Sequence, residues 1–414
     1  MDQAAETRPK RFAITGVTVS GNMGGAAMLH ASLDAIRSRE PDARFCLLSV
    51  TPGRDRELPP VPGLDIVSAH YLLLLMIYFP LSLLLWPLRH ILPLRRLLSP
   101  MAYFKALADA DVIVDLAGIA FVDGRGAAVL AYNCACCLPA QLLGQPVVKL
   151  AQALGPFETF PNRQLAHFVL SRCRAVVARG AISEQRLLAL GIDHAIRLPD
   201  VSFALQVRPS DREKARGQIA ALSLTRPLVV ISPSEVVRRI VDRGGGNFAD
   251  MMAELINVLS SAGYAILLLP HSLASGKTRN NDRDLCKAIA ARVDATRRPA
   301  VMDGVNDPRL LRALIGEADG FIGCRFHAAV AALSMAVPSL IVGWGHKYKE
   351  MAEGLISPEW VIDARQFSPQ QAFQSFQAVM SQRNLVIEGL RQRLPDVEAE
   401  ANRNFDFVVA AAHG

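Results

Sequence analysis

Along this chain, apolar runs of strand length alternate with longer stretches in which apolar positions recur every three or four residues. That alternation predicts parallel strands joined by crossover helices. Strand-like runs of the first half fall at residues 12–19, 45–50, 112–116, 147–151 and 175–178, each ending near a Gly, Asn, Asp or Arg. Ligands of open α/β sheets collect at the carboxyl ends of strands, so these punctuating residues are the first candidates for chemistry. Residues 206–226, with Arg208, Pro209, Asp211, Arg212, Glu213 and Lys214, are polar and read as a linker. A second alternation follows, with strands at 228–232, 265–270, 320–323 and 339–342 and helical periods at 248–262, 284–293, 308–316 and 327–335. The expected fold class is α/β, as two Rossmann-like domains facing a cleft in the glycosyltransferase-B-like arrangement. The expected domains are 1–205, carrying an apolar insertion at about 69–98, and 227–365. A helical stretch at 366–414 is expected to pack back on the first domain. Gly244-Gly245-Gly246 reads as a mobile loop or a simple linker.

The insertion changes the picture most. Tyr71–Leu88 is 18 residues without a charge, followed by Arg89, Arg95 and Arg96. Its length is at the lower limit for crossing a bilayer. Pro80 and Pro87 interrupt it and aromatic residues punctuate it, which suits a bent insertion into one leaflet. A buried helix pair and a true span are the other two readings. The segment 1–11 is polar and lacks the apolar core of a signal peptide, so no export is implied.

Composition bounds the rest. With 414 residues, 51% of them hydrophobic and 20% charged, the chain suits a well-buried two-domain enzyme rather than a disordered one. A net charge of +7 is too mild to indicate nucleic acid and is compatible with phosphorylated substrates or an anionic membrane surface. Seven cysteines without framework spacing point to reduced thiols and a cytoplasmic setting. Cys134, Cys136 and Cys137 lack a second pair at metal-ligand spacing and are expected in the core. No metal or bound cofactor is expected.

The densest chemistry lies at 318–349. A buried strand ends in Cys324-Arg325-Phe326-His327, where a helix of small residues begins. Helix N-termini offer unpaired N–H groups and a partial positive charge, and the forked donors of Arg325 add a site for carboxylate or phosphate. His327, beside such an anion, is a candidate general acid. Lys347 follows in Gly343-Trp344-Gly345-His346-Lys347. Arg179 ends an apolar strand and His271 another, the latter suited equally to a ligand or to a turn. Asn22 and Gly24, after the first strand, suit close approach of a ligand, as does Gly118. Asp200 reads as either a base or a turn former.

The order of strand, Arg325-x-His327-Ala328, small-residue helix, Pro338-led strand and Lys347 resembles the polysaccharide pyruvyl transferase family, and the likeness covers most of the chain. Gly21-Asn22-Met23-Gly24, Gln152-Ala153-Leu154-Gly155-Pro156, Arg179 with Ser183, and Pro199-Asp200 extend it. It implies transfer of a pyruvyl group from phosphoenolpyruvate, a co-substrate rather than a cofactor, to a sugar, usually as a cyclic ketal. Arg179 and Arg325 would then hold the donor's carboxylate and phosphate, and His327 would be catalytic. The expected acceptor is a polysaccharide or its lipid-linked precursor at the inner membrane face. Three positions depart from the pattern: Gly25 stands where an acid is usual, Asp115-Leu116-Ala117-Gly118 replaces a glycine-rich turn, and Gly180 follows Arg179. A nucleotide-sugar glycosyltransferase and a non-catalytic membrane-associated homologue are the alternative readings.

Overall fold

The computed structural model describes residues 8–273 and 281–414. Residues 1–7 of the polar leader lie outside the described residues. The chain divides into two compact units. One comprises 1–19, 29–201 and 400–414, and the other 20–28 and 202–399.

The first unit is built on an all-parallel sheet of eight strands: β1 (Arg11–Thr15), β2 (Arg44–Ser49), β3 (Leu64–Ser68), β4 (Val112–Asp115), β5 (Ile119–Ala120), β6 (Val147–Leu154), β7 (Ala175–Ala178) and β8 (Ala195–Arg197). Their order is 3-2-1-4-6-7-8, with β5 pairing β6. The second unit's sheet, also parallel, contains β9 (Leu228–Ser232), β10 (Ala265–Leu268), β11 (Ala300–Val301), β12 (Gly320–Gly323), β13 (Ser339–Gly343) and β14 (Val361–Asp363), in the order 11-10-9-12-13-14. The central strands are buried along their whole length because helices cover both faces, which is why they read as largely apolar runs, interrupted in β6 by Lys149 and Gln152. In each sheet the strand order reverses once, between β1 and β4 and between β9 and β12. Crevices at such reversals are where open α/β sheets bind ligands.

Three expectations need correction. Residues 206–226 are not a linker: they hold helix Pro209–Ala221, which lies within the second unit and packs against helix Pro308–Gly316. Its polar residues form a solvated face except Asp211, which is buried and accepts the Arg208 N–H as a cap, while Ala215 and Ile219, one turn apart, supply the apolar buried stripe. Arg309 and Arg312, both buried, hold the chain that precedes it, donating to the carbonyls of Gln206 and Leu205. The three glycines are a helix stop: Gly244 and Gly246 return N–H groups to Ile240 and Val241, and Gly245 takes φ +89°. Residues 20–28, expected in the first domain, group with the second unit. The terminal stretch is two helices, Pro369–Ser381 and Arg383–His413, and its last part groups with the first unit. There Lys10 donates to the Ala412 carbonyl and Arg39 pairs with Asp406.

The apolar insertion is a helical segment, Tyr71–Leu88, that lies against the first unit on one face only. Pro80 lacks an N–H, and the turn before it, Leu74–Tyr78, widens to a π-turn. The inner face is aromatic. Tyr78 stacks on Tyr103 with centroids 4.4 Å apart, Trp86 meets Phe168 edge-on at 5.2 Å, and Ser82 is buried with its hydroxyl donated to the Tyr78 carbonyl. The outer face is apolar too. Met76 and Leu84 are each 73% exposed and Ile91 76%, so the buried helix pair is excluded.

Candidate functional site

The second unit gathers its chemistry at the carboxyl ends of β9, β10 and β12. Asp282, fully buried at the start of helix Asp282–Ala290, ties the three exits together. Its Oδ1 accepts the Glu235 N–H after β9 at 3.0 Å, and its Oδ2 accepts the Ser272 N–H after β10 at 2.9 Å. From the exit of β12, Arg325 donates Nε to Oδ2 at 2.7 Å and Nη2 to Oδ1 at 2.6 Å. Burial opposes the Arg325 charge, but Asp282 outweighs it and raises the pKa further above its already high ordinary value. Two of the three guanidinium nitrogens are therefore engaged within the fold. Nη1 makes no hydrogen bond among the described residues.

Arg325 is the residue before helix Phe326–Ser334, so His327 stands in its first turn, where helical N–H groups have no partner within the helix. The His327 ring packs edge-on against Phe326 at 5.1 Å. Its other side is set by Gly24: a Cβ there would lie 2.1 Å from His327 Nδ1. The space expected for a ligand at Gly24 is thus filled by the candidate catalytic ring. Asn22 caps the helix Met23–Arg39, its Oδ1 accepting the Gly24 N–H at 3.1 Å, and it forms an isolated bridge with Ser272. The Met23 N–H reaches the His271 carbonyl at 3.2 Å. His271 itself is buried, and neither ring nitrogen has a partner among the described residues. Burial, with the nearby charges of His327, Arg325 and Arg312, pushes its pKa well below the ordinary histidine value, so the ring is neutral at pH 7. The structure therefore brings Asn22, Gly24, His271, Arg325 and His327 together.

Lys347 lies in helix His346–Ala352, its ammonium among three rings, 4.8 Å from the Trp344 centroid, 5.3 Å from Phe326 and 5.4 Å from Tyr348. Such a cation is held over π-faces. Tyr348, buried against Gly343, donates its hydroxyl to the Cys324 carbonyl at 3.3 Å and so braces the turn that carries Arg325.

Arg179 and Gly118 belong to the first unit. Arg179 is buried, pairs through Nη1 with Asp200, and donates Nη2 to the Gly118 carbonyl at 3.0 Å. Gly118 follows β4, at that sheet's reversal point. Nearby, Lys149 and Asp115 form a fully buried ion pair, with Cys137 beside both. A bulge in β6 between Lys149 and Gln152, with Ala151 at φ +39°, lets Gln152 also turn inward and donate to the Asp115 carbonyl at 2.8 Å.

Sequence reasoning missed Asp282 and Lys149. The only signal for the first was Asn281-Asp282 at the mouth of a helical period, which reads as an ordinary cap. For the second it was a single charge inside an apolar run.

The polysaccharide pyruvyl transferase profile matches residues 22–346, more than half of the chain. The chain belongs to that family. Among known relatives, the amylovoran biosynthesis protein AmsJ of Erwinia amylovora is 25% identical over 269 residues, a match spanning 63% of this chain and 63% of that protein. The UDP-GlcNAc 2-epimerase of Neisseria meningitidis matches in fold with a TM-score of 0.59 at 11% identity, over 97% of this chain and all of that one. The corresponding enzyme of Methanocaldococcus jannaschii gives 0.56 at 13% identity, over 89% of this chain and 92% of that one. The wall teichoic acid polymerase TagF gives 0.51 at 13% identity, over 98% and 89%. These likenesses concern the fold alone, which is two parallel-sheet α/β domains of the glycosyltransferase-B-like kind. Membership in the pyruvyl transferase family supports a polysaccharide-modifying transferase.

Proposed function

We propose that this pyruvyl transferase family member moves a pyruvyl group from phosphoenolpyruvate to a sugar of a cell-surface polysaccharide or its lipid-linked precursor, closing a ketal, at the cytoplasmic face of a membrane. The observation that supports it most is the grouping of His327, His271 and the Nη1 of Arg325 at the reversal point of the second sheet.

In this reading Arg325 Nη1 and the N-terminus of helix Phe326–Ser334 receive one charged end of the donor. His327 supplies the proton that adds to the methylene carbon. One sugar hydroxyl adds to C2 and releases its proton; the second forms the other C–O bond and releases its proton as the C2–phosphate bond breaks. The products are the ketal and one phosphate. General acid catalysis of this kind contributes about 10²–10⁴-fold. His271, neutral and buried, is suited to accepting a hydrogen bond beside His327. The donor role of Arg179 and the cationic role of Lys347 rest on family likeness. Tyr71–Leu88 supplies the membrane contact, and no bound cofactor is needed.

The test is isotopically labelled phosphoenolpyruvate with lipid-linked and polymeric sugar acceptors. Label in the acceptor with one phosphate released per pyruvyl group is expected. Arg325→Ala should lose donor binding, whereas His327→Ala should keep much of it and lose turnover. Equal loss of binding in both would contradict the division of roles, and transfer from a nucleotide sugar without any from phosphoenolpyruvate would replace the proposal.

A further inference from the structure

The exposed apolar face of Tyr71–Leu88 ends at a pocket of about 820 Å³ in the first unit. Trp86, in the last turn of that segment, lines it. The pocket is lined by Trp86, Arg89, Arg172 and Arg174, among others. The Arg89 guanidinium lies 4.3 Å from the Trp86 ring centroid, and that of Arg172 lies 5.9 Å from Trp86 and 4.0 Å from Phe168. Among the described residues, none of these three arginines has a carboxylate partner. Asp111, the acid in the pocket wall, is engaged by Arg8 and by the Arg11 N–H. Three cations thus line one opening; Arg89 and Arg172 stack on aromatic rings and spend Nη1 on the Trp86 and Phe168 carbonyls, which leaves their remaining guanidinium nitrogens for an anion.

We infer that this pocket holds the phosphate group of an anionic phospholipid while the adjoining helix lies in the same leaflet. The occupant follows from continuity and charge. Met76, Leu84 and Ile91 present an apolar surface too large to leave in water, and the aromatic inner face fastens the helix to the protein, so it can lie in a leaflet but not cross it. Trp86 sits where the apolar face meets the cations, the depth at which tryptophan favours a bilayer. A phosphate at that boundary fits the arginine fork. The inference rests on the membrane contact proposed above and is independent of the pyruvyl chemistry.

Flotation of the full chain with phosphatidylcholine vesicles, with and without phosphatidylglycerol, tests it. The wild type should bind the anionic vesicles more tightly. Arg89→Ala/Arg172→Ala should weaken that binding about tenfold or more, the scale of one to two basic residues at an anionic surface. Arg95→Ala/Arg96→Ala, which removes the same charge outside the pocket, should cost less, and Met76→Glu/Leu84→Glu should abolish binding to both vesicles. Equal affinity for neutral and anionic vesicles would keep the membrane contact and overturn the pocket. Equal loss in the two arginine pairs would also overturn the pocket. No vesicle binding by the wild type would overturn both, even if inorganic phosphate bound at Arg89 and Arg172. Met76, Leu84 and Arg172 are exposed and Arg89 half-buried, and circular dichroism melts check that each variant folds.

Discussion

Arg325 meets Asp282 fork to fork, with both nitrogen–oxygen distances under 2.8 Å and the carboxylate fully buried. The pair is asymmetric. Without Arg325, Asp282 keeps the N–H groups of Ser272 and Glu235. Without Asp282, the arginine keeps no hydrogen-bond partner among the described residues. Asp282→Ala should therefore destabilise the fold by about 3–5 kcal/mol and Arg325→Ala by less, with the double variant costing less than the sum. Urea denaturation of the three variants checks this; equal single costs would refute it.

Gly24→Ala should act on turnover before stability. A methyl group 2.1 Å from His327 Nδ1 must displace the ring, and misplacing a catalytic group by an ångström costs on the order of 10²-fold in rate. The overpacking cost is about 1–3 kcal/mol. Phosphate release alongside a thermal melt separates the two, and an unchanged rate would exclude the contact from catalysis.

His271 predicts an acid sensitivity. Its pKa is held well below the ordinary value, chiefly by burial, so the unfolded chain binds a proton that the folded one refuses. Stability from this site is complete above the unfolded pKa of about 6.5 and is lost as pH falls below it toward the folded value. His271→Gln should show a shallower decline between pH 7 and pH 5 in denaturation midpoints. An unchanged slope would mean the ring is protonated in the native state.

Lys149→Met would leave Asp115 as a buried charge without its ammonium, at a cost of about 3–5 kcal/mol. Changing Asp115→Asn as well should recover much of it, because an amide oxygen can still accept the Ala117 N–H that Asp115 Oδ1 now receives at 2.9 Å. Failure of the second change to recover stability would assign the pair a role beyond charge balance.

What the sequence showed and hid follows from where residues sit. All five central strands of the first sheet and all four of the second were legible, because burial on both faces makes them largely apolar runs. The four edge strands β3, β8, β11 and β14 were not: each is only two to five residues long or half-exposed, too short for an apolar run to stand out. The same divide holds at the site. Arg325 and His327 were readable because strand exit, cation and helix start are contiguous in sequence. Asp282 was not, because its importance lies in three partners from three separate turns. Arg179 and Asp200 were each noticed, but nothing local predicted that they would pair.

The placement of Gly24 beside His327 also has a consequence for biosynthesis. The backing of the His327 ring leaves the ribosome first and the ring itself far later, so at ordinary elongation rates the one waits roughly 15–60 s for the other. A nascent chain carries the first sheet complete long before this contact can exist. On the proposed role of His327, C-terminally truncated chains that stop short of it should be inert even where the first sheet has formed.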